Sequence, residues 1–455
     1  AGGYVGNLSV NVDGNQMGTT ENQKITISQS NKGTNQIALS LKNFTFLVNV
    51  GDIEVDPCTV KAIDGGYAFE GQQNLDLVQP LGNCPVSISG TVKGSNINIE
   101  IGVKVGAPLN QNVKATFVGR KLTGSESSEA KITSFIIDDE AVVEQPVINE
   151  EAGTIVFAVN EEVESLKFTP IIEISEGATI TPASGVAQDF SNNKKVTYTV
   201  TAEDGTVKVY TAFVEGTRKV LKYSFEGWKE GSKNDELLPK DLWAGSAAGA
   251  GILGGTLLRK ETREDGTYAA KLITFEYPNE PNSLVPKITA GSIFIGKFDP
   301  ALQGDRLSCT KFGLDAETVS LGGKPLRFKG VYKYESGSNY LDASNYEDVK
   351  PVDIKDKGQI QAVLYKVQTG EDGKEIVLTG HDVNTSELRV AVANIIVEDI
   401  KEYTPFNIEF EYLQEYDRNA KYKFAIVCSS SKDGDLFKGA GGSTLIVDEF
   451  EVICE

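Results

Sequence analysis

The chain is 455 residues long, too many for one ordinary hydrophobic core, so two to four domains are expected. Its 64 acidic side chains outnumber 44 basic ones, and with a formal net charge of −20 it offers no basic stripe to displace counterions from a phosphate backbone, which argues against a nucleic-acid partner. No run of about 18 apolar residues is present to make a membrane-spanning helix, no signal-peptide pattern is found, and Ala1-Gly2-Gly3 reads as a processed or a trimmed end.

Residues 1–124 consist of short runs with a period close to two, such as Lys24-Ile25-Thr26-Ile27-Ser28 and Asn96-Ile97-Asn98-Ile99-Glu100-Ile101. Such alternation marks strands with one solvated face, and Asp64-Gly65-Gly66 is a turn signal between two of them. No helical stripe interrupts the series, so these strands close as a barrel or stack as a sandwich.

The polar stretch Gly124-Ser125-Glu126-Ser127-Ser128-Glu129 then reads as a linker. A second β unit follows over residues 130–216, including Thr154-Ile155-Val156-Phe157-Ala158-Val159. It closes with a hairpin in which Asp204-Gly205 separates two β-branched runs, 195–201 and 207–211. Residues 126–217 carry 17 acidic and 5 basic side chains, a net of −12, which suits a solvated acidic spacer.

The third unit spans residues 218–455. Gly245 to Gly255 holds five glycines and three alanines and is placed in a loop. No Gly-Lys-Ser/Thr follows it, so a phosphate-loop reading fails. Gln359-Ile360-Gln361-Ala362-Val363-Leu364-Tyr365-Lys366-Val367 is a central-strand candidate, and the runs 406–412 and 421–427 alternate as well. Tyr223-Ser224-Phe225-Glu226-Gly227-Trp228 reads as the first strand of a sandwich, with Leu445–Phe450 as the last, closing beside it.

Five cysteines without a CxxC pair argue against a zinc knot or redox dithiol. Cys58 with Cys84 and Cys428 with Cys454 are candidate disulfides or small buried side chains, and Cys309 has no obvious mate.

The order of these units resembles a kind of exported lipoprotein common in Bacteroides-type bacteria. Residues 1–124 resemble a calycin-like β-barrel domain through Tyr4-Val5-Gly6, Asn43-Phe44 and Phe117-Val118-Gly119. Residues 130–216 are similar to small immunoglobulin-like domains, through the run 177–185 and Tyr198-Thr199-Val200-Thr201-Ala202-Glu203-Asp204-Gly205. Residues 218–455 resemble the putative carbohydrate metabolism domain, through Phe225-Glu226-Gly227-Trp228, the runs 291–298 and 326–334, and Leu436-Phe437-Lys438-Gly439-Ala440-Gly441-Gly442-Ser443. The resemblance implies an all-β protein of calycin-like barrel, immunoglobulin-like sandwich and jelly-roll-like sandwich in series. It also implies glycan handling in the periplasm or at the cell surface, with membrane association only through a lipid anchor that this sequence does not contain.

A sugar-binding face needs aromatic rings for pyranose C–H groups and amides or carboxylates for the hydroxyls. Trp243 and Trp228 are the only tryptophans, and a glycine-rich loop could expose Trp243. Tyr332 and Tyr334 share one face of a strand, as a stacking strip or as sandwich lining, while Tyr340 and Tyr346 sit in a polar loop. By comparison with jelly-roll carbohydrate-binding modules, Glu226 and Asp448 stand where a structural calcium would find two ligands. No catalytic residue is assigned. A glycosidase would need paired carboxylates, for which Glu276, Glu335 and Glu409 are candidates. His381, the sole histidine, has no serine in a GxSxG setting. The expectation is therefore non-catalytic glycan binding, with a glycoside hydrolase, or an adhesion protein with a protein partner, as the alternatives.

Overall fold

The computed structural model describes residues 1–46, 48–250, 253–282, 285–302 and 305–455. It comprises two compact units, Ala1–Gly216 and Thr217–Glu455.

In the first unit, eight strands from Gly2–Val12 to Gln111–Lys121 each pair antiparallel with their sequence neighbours. The barrel closes where Tyr4 to Val12 lie opposite Lys121 to Val113. Alternation decides what fills it. On Asn96–Val105, Ile97, Ile99, Ile101, Val103 and Val105 point inward, while Asn98 and Glu100 face solvent. Asp64-Gly65 is the expected two-residue turn, with Gly65 at φ +73°.

Cys58 and Cys84 are both thiols buried in this barrel core. A disulfide is not formed because the strand Gly66–Leu77 lies between theirs. Two strand spacings separate the backbones by about 9.5 Å, beyond the reach of a disulfide.

The middle segment, also in the first unit, has its own core around Phe135, Phe157, Phe168, Phe190, Tyr198 and Tyr210. Phe157 meets Phe190 edge-on at 5.1 Å. The expected hairpin is present, with Thr201 opposite Val207 and Gly205 at φ +81°. The stretch expected to be a linker is a folded joint. Glu126 accepts hydrogen bonds from the Thr123 and Gly124 N–H groups and from Arg120, while Ser127 and Arg120 both bond Glu203. The Arg120 guanidinium and the Thr123 N–H hold the Glu126 carboxyl far below the usual carboxylate range.

In the second unit two sheets face each other. One is centred on Thr444–Cys454, which pairs along its length with Pro325–Glu335. On its other side it pairs with Lys219–Tyr223 and with Tyr268–Ile273. The first and last strands of the unit therefore do lie side by side, with Tyr223 opposite Phe450. The other sheet runs Trp243–Gly245, Ser292–Phe298, Tyr422–Ser429, Gly358–Lys366, Arg389–Val397, Glu411–Tyr412.

Between the sheets Phe225, Phe328, Phe406 and Phe450 form an edge-to-face cluster, with ring centroids 5.0–5.8 Å apart. Ile293, Ile295, Ile360, Leu364, Phe424 and Ile426 meet them from the opposite sheet. Cys428 and Cys454 sit in this core on facing sheets and remain thiols, as does Cys309.

Trp243 is not displayed by the glycine-rich segment. It lies on a strand opposite Ile295, is 5% exposed and packs on Phe225 at 5.4 Å. After it Ala247–Ala250 makes one helical turn where a loop was expected; Gly251 and Ile252 lie outside the described residues. Gly249 fits there because a Cβ would come within 2.6 Å of the Phe298 ring.

Because Trp243 fills core, Trp243→Ala is expected to destabilise the second unit by about 3–5 kcal/mol, measured by denaturant unfolding. A loss below about 1 kcal/mol would show that the indole is not part of the packing.

Candidate functional site

The sheet containing Gly358–Lys366 has two different faces. Ile360, Ala362 and Leu364 enter the core, whereas Gln359, Gln361, Val363 and Tyr365 point to the outer side. Cross-strand register gathers the outer residues into rows. Ser292 and Gln359 lie opposite Ser429, and Phe294 and Gln361 lie opposite Val427. Loops cover part of this face over a second apolar cluster that includes Phe294, Phe312, Tyr365 and Val427. Beside it they leave a cavity of about 400 Å³.

Ser292, Gln359, Gln361 and Ser429 supply the cavity with amides and hydroxyls. Phe298, Phe312 and Phe437 supply aromatic surface, and Arg306, Lys432 and Asp435 supply charge. Gln361, 3% exposed, donates to the Asn384 side-chain oxygen at 3.1 Å, and Asn384 in turn hydrogen-bonds Asp435. An amide relay thus joins the sheet to the Lys432–Phe437 wall. Burial first, and the negative charge of Asp433 after it, push the Asp435 carboxyl above its ordinary value, against hydrogen bonds from Leu436 and Asn384.

That wall is fixed from behind by Asp356, 2% exposed. Its Oδ2 accepts from Ser431 Oγ at 2.6 Å, Ser443 Oγ at 2.7 Å and the Ala440 N–H at 2.8 Å, while Oδ1 accepts from the Lys357 N–H at 2.8 Å. Thr274 Oγ1 joins Ser430 and Ser431 at 2.7 and 2.6 Å, and the Tyr334 hydroxyl donates to the Ser430 carbonyl at 3.0 Å.

The six aromatics singled out from the sequence do not line this cavity. Trp243 and Tyr334 are core, and Tyr332 packs on Phe406 from the same inward face. Trp228 is half-buried, with its indole N–H donated to the Phe225 carbonyl. Tyr340 is buried and acts on the cavity indirectly, donating to Asp433 at 2.9 Å beside Lys432. Tyr346 is exposed, at 44%. Phe298, Phe312 and Phe437 were missed. A usable signal was the pair of glutamines alternating with Ile360 and Ala362, which marks one side of a central strand as not wholly dry.

The opposite sheet presents a charged outer face. Lys329 pairs with Glu451 at 3.1 Å, Arg327 with Glu409 at 2.7 Å, and Lys333 lies 4.1 Å from the Tyr403 ring centroid. There Asp448 is bound by Arg263 at 2.5 Å, and Glu226 accepts the Tyr268 N–H at 3.0 Å. Asp448 thus has a cation already, and calcium would have to displace it. Among the described residues no three His, Cys, Asp or Glu side chains gather as a metal site.

Glu335 and Glu409 are too far apart to act as a catalytic pair. Glu409 sits opposite Arg327, eight residues along the strand from Glu335, or about 26 Å. Glu276 is ion-paired with Lys287 at 3.3 Å. His381 bonds Asp305 at 2.8 Å, and Ser308 donates to that same carboxylate rather than to the imidazole.

Comparison with known proteins gives three family matches: "Putative carbohydrate metabolism domain" over residues 199–453, "Calycin-like beta-barrel domain" over residues 1–120, and "SGBP, N-terminal" over residues 132–214. Among solved structures, a putative glycoside hydrolase from Bacteroides thetaiotaomicron is 29% identical, covering 73% of this chain and 99% of its own, with a TM-score of 0.45. Another putative glycoside hydrolase, from Bacteroides vulgatus, is 28% identical, covering 52% and 98%, with a TM-score of 0.43. A putative outer membrane protein from Bacteroides fragilis is 30% identical, covering 27% and 50%, with a TM-score of 0.23. No curated protein matches.

Two outcomes are expected from the buried carboxyls. Asp356→Ala orphans three or more donors and should cost about 3 kcal/mol in unfolding free energy, and Asp356→Asn less, because an amide oxygen can keep the Oδ2 contacts. For Asp435 the pH dependence carries the expectation. A folded-state value above the unfolded one means its contribution is full at low pH and lost as pH rises through the folded value. Asp435→Asn should therefore raise the melting temperature at pH 7, with the gain shrinking toward the ordinary aspartate value of about 3.9. A gain independent of pH would refute that account.

Proposed function

The chain belongs to the family of the putative carbohydrate metabolism domain, which matches more than half of it, and from that premise we propose that it holds a glycan in the cavity on the outer face of the Ser292–Phe298 sheet. Its function is carbohydrate-related; the site, and whether binding ends in cleavage, are the parts proposed. The observation that carries the reading is the composition of this one cavity. Rings on its walls suit the C–H faces of a pyranose, and Gln359, Gln361 and Ser429 suit its hydroxyls. Its volume of about 400 Å³ lies in the ordinary range for small-ligand sites, roughly 300–1,000 Å³.

In this reading the second unit is a jelly-roll-like sandwich directed at carbohydrate, and the middle segment is an immunoglobulin-like spacer. The SGBP-type match of that segment is consistent with an exported, surface-associated protein.

Hydrolysis at the same cavity is the second reading, and Asp435 favours it. A carboxyl whose value is raised by burial can keep the proton that a leaving glycosidic oxygen needs. A classical pair also needs a second carboxylate about 5–9.5 Å away. Among the described residues lining the cavity, Asp435 is the one carboxylate, and nearby Asp433 is held by Lys432 and Tyr340. This favours binding over a paired-carboxylate mechanism.

The test is a glycan array on the full chain, followed by calorimetry and chromatography of any hit. Saturable binding that falls about tenfold in Gln361→Ala, without released product, is expected. Product formation abolished by Asp435→Asn would establish the hydrolase instead. An array without a hit would overturn both.

A further inference from the structure

The floor of the cavity changes character along the strands. Successive outward positions of one strand stand about 6.7 Å apart, so the cross-strand rows sample the floor at regular steps. The first row, Ser292, Ser429 and Gln359, is hydroxyl and amide. The second, Phe294, Val427 and Gln361, is mixed, and the third, Ala425 and Val363, is apolar. Phe312 and Leu378 pack with that third row in one buried cluster, to which Val383 and Phe298 of the cavity wall also belong. A ligand lying along the strands therefore meets polar groups at one end and rings and aliphatic groups at the other.

Hydrogen-bonding capacity follows the same gradient. Gln359 commits one amide hydrogen to Asn394 at 2.9 Å and Gln361 one to Asn384 at 3.1 Å, and each amide has an oxygen and a second N–H besides. The hydroxyl at the apolar end is committed. Thr310, opposite Phe298, donates to the Leu307 carbonyl at 3.0 Å and accepts the Gly380 N–H at 3.0 Å. The cations of the wall are engaged as well, Lys432 with both oxygens of Asp433 at 2.7 Å and Arg306 against the Phe437 ring at 5.5 Å, which suits an uncharged ligand. A second pyranose at the apolar end would stack its face on a ring, but its edge hydroxyls would lose water without gaining partners. A flat apolar ring carries no such cost and gains ring contacts with Phe298 and Phe312.

Resting on the reading that this cavity is the glycan site, we propose that its ligand is a glycoside with an aryl aglycone, the sugar over Ser429, Gln359 and Gln361 and the aryl group against Phe298 and Phe312. Leu253 lines the same cavity, is 40% exposed, and belongs to the segment whose Gly249 packs on the Phe298 ring. It is then a residue that favours the aglycone over a further sugar.

Calorimetry on the full chain tests this with matched probes: the phenyl glycoside, the methyl glycoside and the homodisaccharide of glucose, galactose, mannose, xylose and the terminal sugar of any array hit, with phenol alone as the control. For the sugar that binds, the phenyl glycoside is expected to bind about tenfold tighter than the methyl glycoside, the worth of burying one aromatic ring, with little dependence on salt. Leu253→Ser and Phe298→Ala should each lose about fivefold more affinity for the phenyl than for the methyl glycoside. Gln359→Ala should instead weaken both alike, by about fivefold. Circular dichroism and melting temperature establish that the variants are folded. Equal binding of phenyl and methyl glycosides, or tighter binding of the disaccharide, overturns the aglycone and leaves the glycan site standing. A phenyl preference that survives both Leu253→Ser and Phe298→Ala does the same, as does failure of every phenyl glycoside beside an array hit. Phenol binding as tightly as its glycoside, or failure of all probes with an empty array, removes the glycan reading and the inference alike.

Discussion

A single buried carboxylate sets the geometry on which the cavity depends. Asp356 stands two residues before the central strand Gly358–Lys366 and gathers donors from Ser431, Ala440 and Ser443. An ionised carboxylate away from water is tolerated only where donors converge on it, so the chain around it has little freedom. Asp356 thereby ties the strand bearing Gln359 and Gln361 to the segment bearing Asp435 and Phe437. Burial still raises its carboxyl above the ordinary value, which indicates that the donors compensate only part of the desolvation.

The two outer faces of the second unit show how one architecture separates support from recognition. On the Thr444–Cys454 sheet, lysines, arginines and glutamates alternate with core residues and neutralise one another across strands, as in Lys329–Glu451 and Arg327–Glu409. On the Gly358–Lys366 sheet the outward positions are mostly glutamine, serine and apolar residues instead, with Lys423 held by Asp315 and Glu375. Loops can settle on such a surface, and they have done so except over one concave region.

Much of the architecture was legible because it follows from period two and turn chemistry. The Ile97–Ile101 alternation, the Asp64-Gly65 turn and the Asp204-Gly205 hairpin all read directly from residue type. The cavity was far less legible, since its residues run from Ser246 to Phe437 and meet only through register and loop path. Aromatic residues misled for a related reason. Alternation says that Tyr332 and Tyr334 share a face but not which face is dry, and here it is the inner one. Trp243 followed its strand partner Ile295 into the core instead of the glycines that come after it. Asp448 drew attention as a metal ligand because Arg263, 185 residues earlier in the chain, gave no local sign of facing it.

The five cysteines are thiols, four in packed cores and Cys309 at the cavity wall, and give the molecule no covalent memory of its folded state. Burial pushes Cys58 up to about 11, so little of its reactive thiolate forms at neutral pH. The native topology thus rests on packing, hydrogen bonds and ion pairs, with no disulfide among them. A cysteine introduced on the exposed surface would then stand out chemically from the four in packed cores, and one reporter group could be attached to the folded chain with Cys309 as the single native thiol to replace.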